Sequence, residues 1–165
     1  LLVGAHVDFT TGVLSHALRT RKARKEERLL LDKAKDLCEF LGLKDKMHDL
    51  IGGQPYGVLK KVELGRTLMS QPKLIILDEP AAGLNDTETV ELANLLKEIR
   101  HSYKCTILLV EHDMRLVMDV CDRICAISFG KKLAEGTPVE IQNDHNVQEA
   151  YLGKVDDDEQ SANIR

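Results

Sequence analysis

Leu74-Ile75-Ile76-Leu77-Asp78-Glu79-Pro80 decides the fold of this chain. Four large aliphatic residues in a row, bounded by turn formers, read as a short strand buried on both faces of a parallel sheet. Gln71-Pro72 upstream ends a helix expected from about Val58 to Ser70, because the residue before proline is pushed out of the helical region. Downstream, Asn85 or Asp86 caps a helix reaching about His101, and Thr106 to Val110 forms a second buried apolar run. A helix from Met114 to Val120 and a strand from Arg123 to Phe129 follow. Gly130-Lys131 turns that strand into Lys132 to Glu135, and Pro138 opens another helix. Strand, helix, strand, helix, strand is the order of an α/β sheet with helices on its faces.

Upstream of the deciding stretch the pattern is helical. Residues Leu14 to Leu41 read as a helix that Gly42 ends, with Leu30, Ala34, Leu37, Cys38 and Leu41 on one packed face. Its early part, Arg19 to Arg28, carries six Lys or Arg with Glu26 and Glu27 among them, which reads as a solvated face. The 165 residues are 43% hydrophobic and 30% charged, a globular composition. A net charge of −4 argues against a broad nucleic-acid surface. No apolar run approaches the ~20 residues that span a bilayer. Cys38, Cys105, Cys121 and Cys125 form no C-x-x-C pair and are expected to be reduced and buried.

Chemistry in such sheets gathers at the C-terminal ends of the strands. Asp78 and Glu79 stand at the end of the first run, Glu111, His112 and Asp113 at the end of the second. Adjacent carboxylates at a buried strand end are costly without a nearby positive charge, and a Mg²⁺ ion bridging to phosphates supplies one. In that arrangement Asp78 holds Mg²⁺, Glu79 orients and polarises an attacking water, and His112 hydrogen-bonds a terminal phosphate. Taken alone, the carboxylate pair is as well explained as a polar strand cap, and a lone histidine is usually structural. The combination changes that balance.

Together these segments resemble the ATP-binding subunits of ABC transporters. Leu74 to Pro80 is similar to their Walker B segment with its catalytic glutamate. Ala82-Gly83-Leu84-Asn85 resembles the D-loop, with Asn85 where Asp is commoner, and Val110-Glu111-His112-Asp113 resembles the switch-histidine segment. Two registers compete for the signature motif. Gly52-Gly53-Gln54 copies its letters, whereas counting back from Arg66 places it on Gln54-Pro55-Tyr56-Gly57-Val58. The second is preferred, because it sets Gly57 before the helix, where backbone N–H groups and the helix dipole can face a γ-phosphate. Pro55 then replaces the usual Ser, and Val58 the usual Gln.

Glu79-Pro80-Ala81-Ala82-Gly83-Leu84-Asn85, Glu111-His112-Asp113-Met114, Gly136-Thr137-Pro138 and Ala150-Tyr151-Leu152-Gly153 narrow the likeness to branched-chain amino-acid importers. Urea or amide importers and a lipopolysaccharide-export subunit look similar. The resemblance implies ATP and Mg²⁺ as cofactors, with Gln54, Pro55, Tyr56, Gly57, Gly83 and Asn85 at the nucleotide. The implied partners are a second ATP-binding subunit, membrane-embedded permease subunits and, indirectly, a solute-binding protein, on the cytoplasmic side of the membrane. The expected fold is a partial P-loop NTPase-type ABC core in two parts. A helical signature subdomain covers 1–72, and an α/β core with Walker B, D-loop and switch histidine covers 73–153. The acidic tail 154–165 is expected to be disordered. Gly-x-x-x-x-Gly-Lys-Ser/Thr does not occur in the sequence: Gly130-Lys131 and Gly153-Lys154 lack the following Ser or Thr. With a first residue other than Met, this suggests an N-terminally truncated piece. The alternative is a non-catalytic interaction module offering only a signature face.

Overall fold

The computed structural model describes residues 1–8 and 20–152, arranged in two compact units, Leu1–Val110 and Glu111–Arg165. The expected start of the first helix before Thr20, the close at Gly153 and the acidic tail lie outside the described residues.

In the first unit a 3₁₀ segment, Leu2–Asp8, precedes helix α1, Arg21–Phe40. Thr20 caps α1 by accepting the Ala23 N–H at 3.3 Å. Leu30, Ala34, Leu37, Cys38 and Leu41 are all buried, the face expected from their spacing. Gly42, at φ +67, follows the helix in the left-handed conformation that glycine adopts without strain. Helix α2 spans Tyr56–Met69 and buries Leu64, Gly65, Leu68 and Met69. A Cβ on Gly4 would collide with the Arg66 backbone, and one on Gly65 would lie 2.5 Å from Leu1 Cδ2 and 2.7 Å from Leu41 Cδ1. The 3₁₀ segment and the end of α1 therefore press directly on α2. Helix α3, Asp86–Tyr103, buries Leu92, Ala93, Leu95, Leu96 and Ile99. An edge-to-face pair of Phe40 and Tyr103, with ring centroids 5.5 Å apart, joins the ends of α1 and α3.

Strands β1, Leu74–Asp78, and β2, Thr106–Val110, pair in parallel with Leu74 opposite Thr106 and Asp78 opposite Val110. The parallel pairing is as expected; the burial is not. Ile75 is 2% exposed, but Leu74 is 51%, Ile76 64%, Leu108 52% and Val110 51% exposed. The alternation puts one face of the pair inward and leaves the other open. Apolar composition cannot bury a strand by itself: burial needs a layer on each face, and among the described residues this face lacks one.

The second unit begins with helix α4, Met114–Val120. Strands β3, Ile124–Ser128, and β4, Lys131–Gly136, form an antiparallel hairpin with an irregularity at Ala126/Ile127. Phe129 and Gly130 both have positive φ (46° and 74°), as a two-residue type I′ turn requires. Within this unit β3 is hydrogen-bonded to β4 in a two-stranded sheet, which the tight turn makes antiparallel. Helix α5, Pro138–Gln142, starts with a reciprocal cap between Thr137 and Glu140. The Tyr151 hydroxyl donates to the Ile127 carbonyl, tying the last described turn to β3. No disulfide joins the four cysteines. Cys38 and Cys105 are buried as expected, whereas Cys121 is half-buried and Cys125 exposed, since Cys125 sits on the uncovered side of β3.

Candidate functional site

Asp78 is the last residue of β1, and Glu79 follows with its N–H donating to the Val110 carbonyl at 2.9 Å. The parallel ladder thus carries the chain one residue beyond the strand. Glu79 then takes φ +44, a left-handed conformation costing a side-chain-bearing residue on the order of 1–3 kcal/mol. Both acidic residues are exposed and Pro80 is buried. The expectation of a costly buried pair therefore does not hold: water solvates both carboxylates, so burial supplies no argument for a counter-cation here. The strand-end position remains.

Two tight turns lead from Glu79 to α3. Ala82 N–H donates to Glu79 O at 3.1 Å and Leu84 N–H to Ala81 O at 3.0 Å, with Gly83 at φ +81. Asn85 caps α3: its Oδ1 accepts the Glu88 N–H at 3.0 Å, while Glu88 Oε2 accepts the Asn85 N–H at 3.0 Å. Asn-x-x-Glu is the sequence signature of a capping box, and it is this spacing that brings Glu88 to the site.

The N-terminus of α2 lies beside these turns. The helix starts at Tyr56, two residues before the expected Val58, with Pro55 at the cap and Gly52-Gly53 in the preceding turn. Pro55 provides no side-chain cap; its carbonyl accepts the Val58 and Leu59 N–H groups at 3.0 and 3.2 Å. The Tyr56 ring covers Gly83, with Cε1 3.2 Å from where a Cβ would stand, and Lys60 Nζ sits 5.2 Å from the ring centroid. Gly57 faces Glu88, whose Oε1 lies 3.1 Å from the position of an added Cβ. Gln54 turns away from the helix: its amide donates to the Leu50 carbonyl at 3.2 Å and its oxygen accepts Lys46 Nζ at 3.4 Å. A cleft of about 190 Å³ opens between the two helices, lined by Gly57, Val58, Lys61, Leu84, Glu88 and Leu92.

Pro55, Tyr56 and Gly57 are thus gathered against Gly83 and Glu88, with Asn85 tied to Glu88, although about thirty residues separate the two segments. Asp78 and Glu79 are one turn away along the chain. His112 belongs to the second unit, with its side chain 73% exposed. Asp113 caps α4 by accepting Arg115 and Leu116 N–H groups at 2.9 and 3.4 Å. Partial burial works to raise the Asp113 carboxyl pKa, but those hydrogen bonds and the Arg115 guanidinium outweigh it, and the net shift is downward. Among the described residues no three His, Cys, Asp or Glu side chains cluster to hold a metal. Mg²⁺ commonly takes one or two carboxylates and completes its shell with water and phosphate, a donor set that Asp78 fits.

The high-affinity branched-chain amino acid transport ATP-binding protein LivG of Salmonella typhimurium is 43% identical over 155 residues, 94% of this chain and 61% of that protein. LivG of Escherichia coli K12 is 42% identical over the same span. A solved ATP-binding cassette of an ABC transporter in its ADP conformation matches with TM-score 0.72 and 29% identity, covering 93% of this chain and 61% of that one. Nearly the whole chain is thus similar to ATP-binding subunits and cassettes of this kind. The family profile described as branched-chain amino acid ATP-binding cassette transporter matches residues 131–157. The methionine import ATP-binding protein MetN 2 of Bacillus cereus is 34% identical over 129 residues. The similarity is therefore greater to the branched-chain type. The chain spans 61% of the length of the LivG proteins it matches. Among the described residues, no helix is long and apolar enough to cross a membrane.

Proposed function

We propose that this chain is the signature-bearing and Walker B-bearing part of an ATP-hydrolysing subunit of a branched-chain amino-acid importer. The observation carrying the reading is the end of β1, where exposed Asp78 and Glu79 leave a parallel strand and lead through two turns into the Gly83–Asn85 segment. Mg²⁺, held by Asp78, would neutralise charge on the phosphates. Glu79 accepts a proton from the attacking water and orients it. Its left-handed backbone redirects the side chain relative to that of Asp78, so two neighbouring carboxylates can take different roles. His112 donates a hydrogen bond to the terminal phosphate.

Tyr56 and Gly57 N–H groups, at a helix start with no side-chain cap, face the γ-phosphate of an ATP held by a second such subunit. Residues 1–72 form the helical signature part and 73–153 the α/β part. The partners are that second subunit, membrane-embedded permease subunits and, through them, a solute-binding protein; the place of action is the cytoplasmic face of the membrane. The open apolar face of Leu74, Ile76, Leu108 and Val110 supports a sheet that gains a further layer in the complete cassette.

Two measurements test this. Isolated, the 165 residues should show no saturable Mg-ATP binding at micromolar nucleotide by calorimetry, because triphosphate affinity rests mainly on phosphate-loop N–H groups and lysine. When the chain is joined to a phosphate-loop-bearing N-terminal part, Glu79→Gln should cut ATP turnover by ~10²–10⁴-fold while ATP binding survives. Undiminished turnover in that variant overturns the assignment of Glu79.

A further inference from the structure

Glu111 sits between the end of β2 and His112, and its side chain is 1% exposed although it is charged. Charged side chains are rarely buried without partners, so its contacts bear on its role. Oε2 accepts the His112 N–H at 2.9 Å and the Asp113 N–H at 3.3 Å, and the same oxygen lies 3.8 Å from His112 Nδ1. One carboxylate oxygen therefore gathers two successive backbone donors, a small anion nest closed by the chain's own side chain. Through those bonds it orients the peptide planes on both sides of the His112 Cα. It also stands on the Nδ1 side of the imidazole, whose ring is otherwise largely in solvent. Asp113, the next residue, is held from the other direction by its cap on α4. His112 thus projects from a turn pinned at its start by Glu111 and at its end by α4.

We propose that Glu111 is a positioning residue for His112. Its buried carboxylate fixes the backbone of the turn, so that an exposed imidazole meets phosphate from one direction instead of searching rotamers and backbone states. The inference rests on the reading of His112 as the phosphate-facing residue. Chemically the requirement is for an acceptor at this point, not for a negative charge. Glutamine, whose Oε1 accepts the same two N–H groups, should preserve the function; alanine should not.

The test has two arms. In the 165-residue chain, amide hydrogen exchange at His112 and Asp113 is followed by NMR in wild type, Glu111→Gln and Glu111→Ala. Exchange at both amides should accelerate in Glu111→Ala and stay near wild type in Glu111→Gln. In the complete cassette, where this chain follows a phosphate-loop segment, Glu111→Ala should lower kcat about tenfold, roughly the worth of one charge-assisted hydrogen bond, with KM for ATP changed less than about twofold. Glu111→Gln should return kcat to within about twofold of wild type, and in a His112→Ala background Glu111→Ala should cost nothing more. Full turnover in Glu111→Ala alongside loss in His112→Ala overturns the positioning role, as do losses that multiply in the double variant or unchanged amide exchange in Glu111→Ala. Full turnover in His112→Ala instead removes the underlying reading, and the proposal with it, so the two failures are distinct.

Discussion

Gly83 is where the geometry makes its sharpest demand on a single residue. At φ +81 it occupies a region that an L side chain enters at a cost of roughly 1–2 kcal/mol. Alanine would recover part of this, about 0.4–1 kcal/mol, by narrowing the unfolded ensemble, leaving a net destabilisation near 1 kcal/mol. The added methyl would also meet Tyr56, with Cε1 at 3.2 Å, Cδ1 at 3.6 Å and Cζ at 3.8 Å. Tyr56 is 45% exposed, so its ring can shift by a few tenths of an ångström into solvent, and the steric part should be small. Backbone strain, not collision, is expected to dominate Gly83→Ala. Urea denaturation followed by circular dichroism, extrapolated linearly, measures the loss. Gly83→Asn should cost less, because asparagine tolerates the left-handed region. In a Tyr56→Ala background the cost of Gly83→Ala should change by less than about 0.5 kcal/mol. A fully tolerated alanine, or a cost that vanishes once Tyr56 is removed, would refute the strain argument.

Asn85→Ala should destabilise α3 by about 1 kcal/mol through loss of the reciprocal cap with Glu88, read by the same denaturation. Asp113 contributes stability that is present above the usual carboxylate range and lost as pH falls through its depressed folded value. Asp113→Ser, a neutral cap, should therefore flatten the acid limb of an unfolding-versus-pH curve, and an unchanged limb counts against the cap. With a thiol reagent under native conditions, Cys125 should react first and Cys121 next. Cys38 and Cys105 should wait for unfolding, Cys38 being further protected because burial raises its thiol pKa.

Local chemistry alone determined a good deal of this protein. The elements were legible because each is bounded by residues with a local effect: Pro72 after α2, Asn85 before α3, Asp113 before α4, Gly130 in the hairpin and Pro138 in α5. The start of α2 was expected near Val58 on the count back from Arg66 that the resemblance supplied, and the helix begins two residues earlier, at Tyr56. Position at a strand end likewise pointed to Asp78, Glu79 and His112 without any tertiary information.

Burial and juxtaposition were not legible, because both depend on what lies across space. The sequence makes β1 and β2 apolar on both faces, but only the fold shows that one face is open and that Asp78 and Glu79 stand in water. The contact of Tyr56 with Gly83 and the approach of Glu88 to Gly57 were likewise decided by packing. The left-handed turn at Glu79 carries no signal in its residue type, since glutamate does not favour positive φ. It stands between the ladder bond from the Glu79 N–H to Val110 on one side and the buried Pro80 on the other. Nothing in the residue type of Glu111 signals burial, yet in the fold its side chain is 1% exposed.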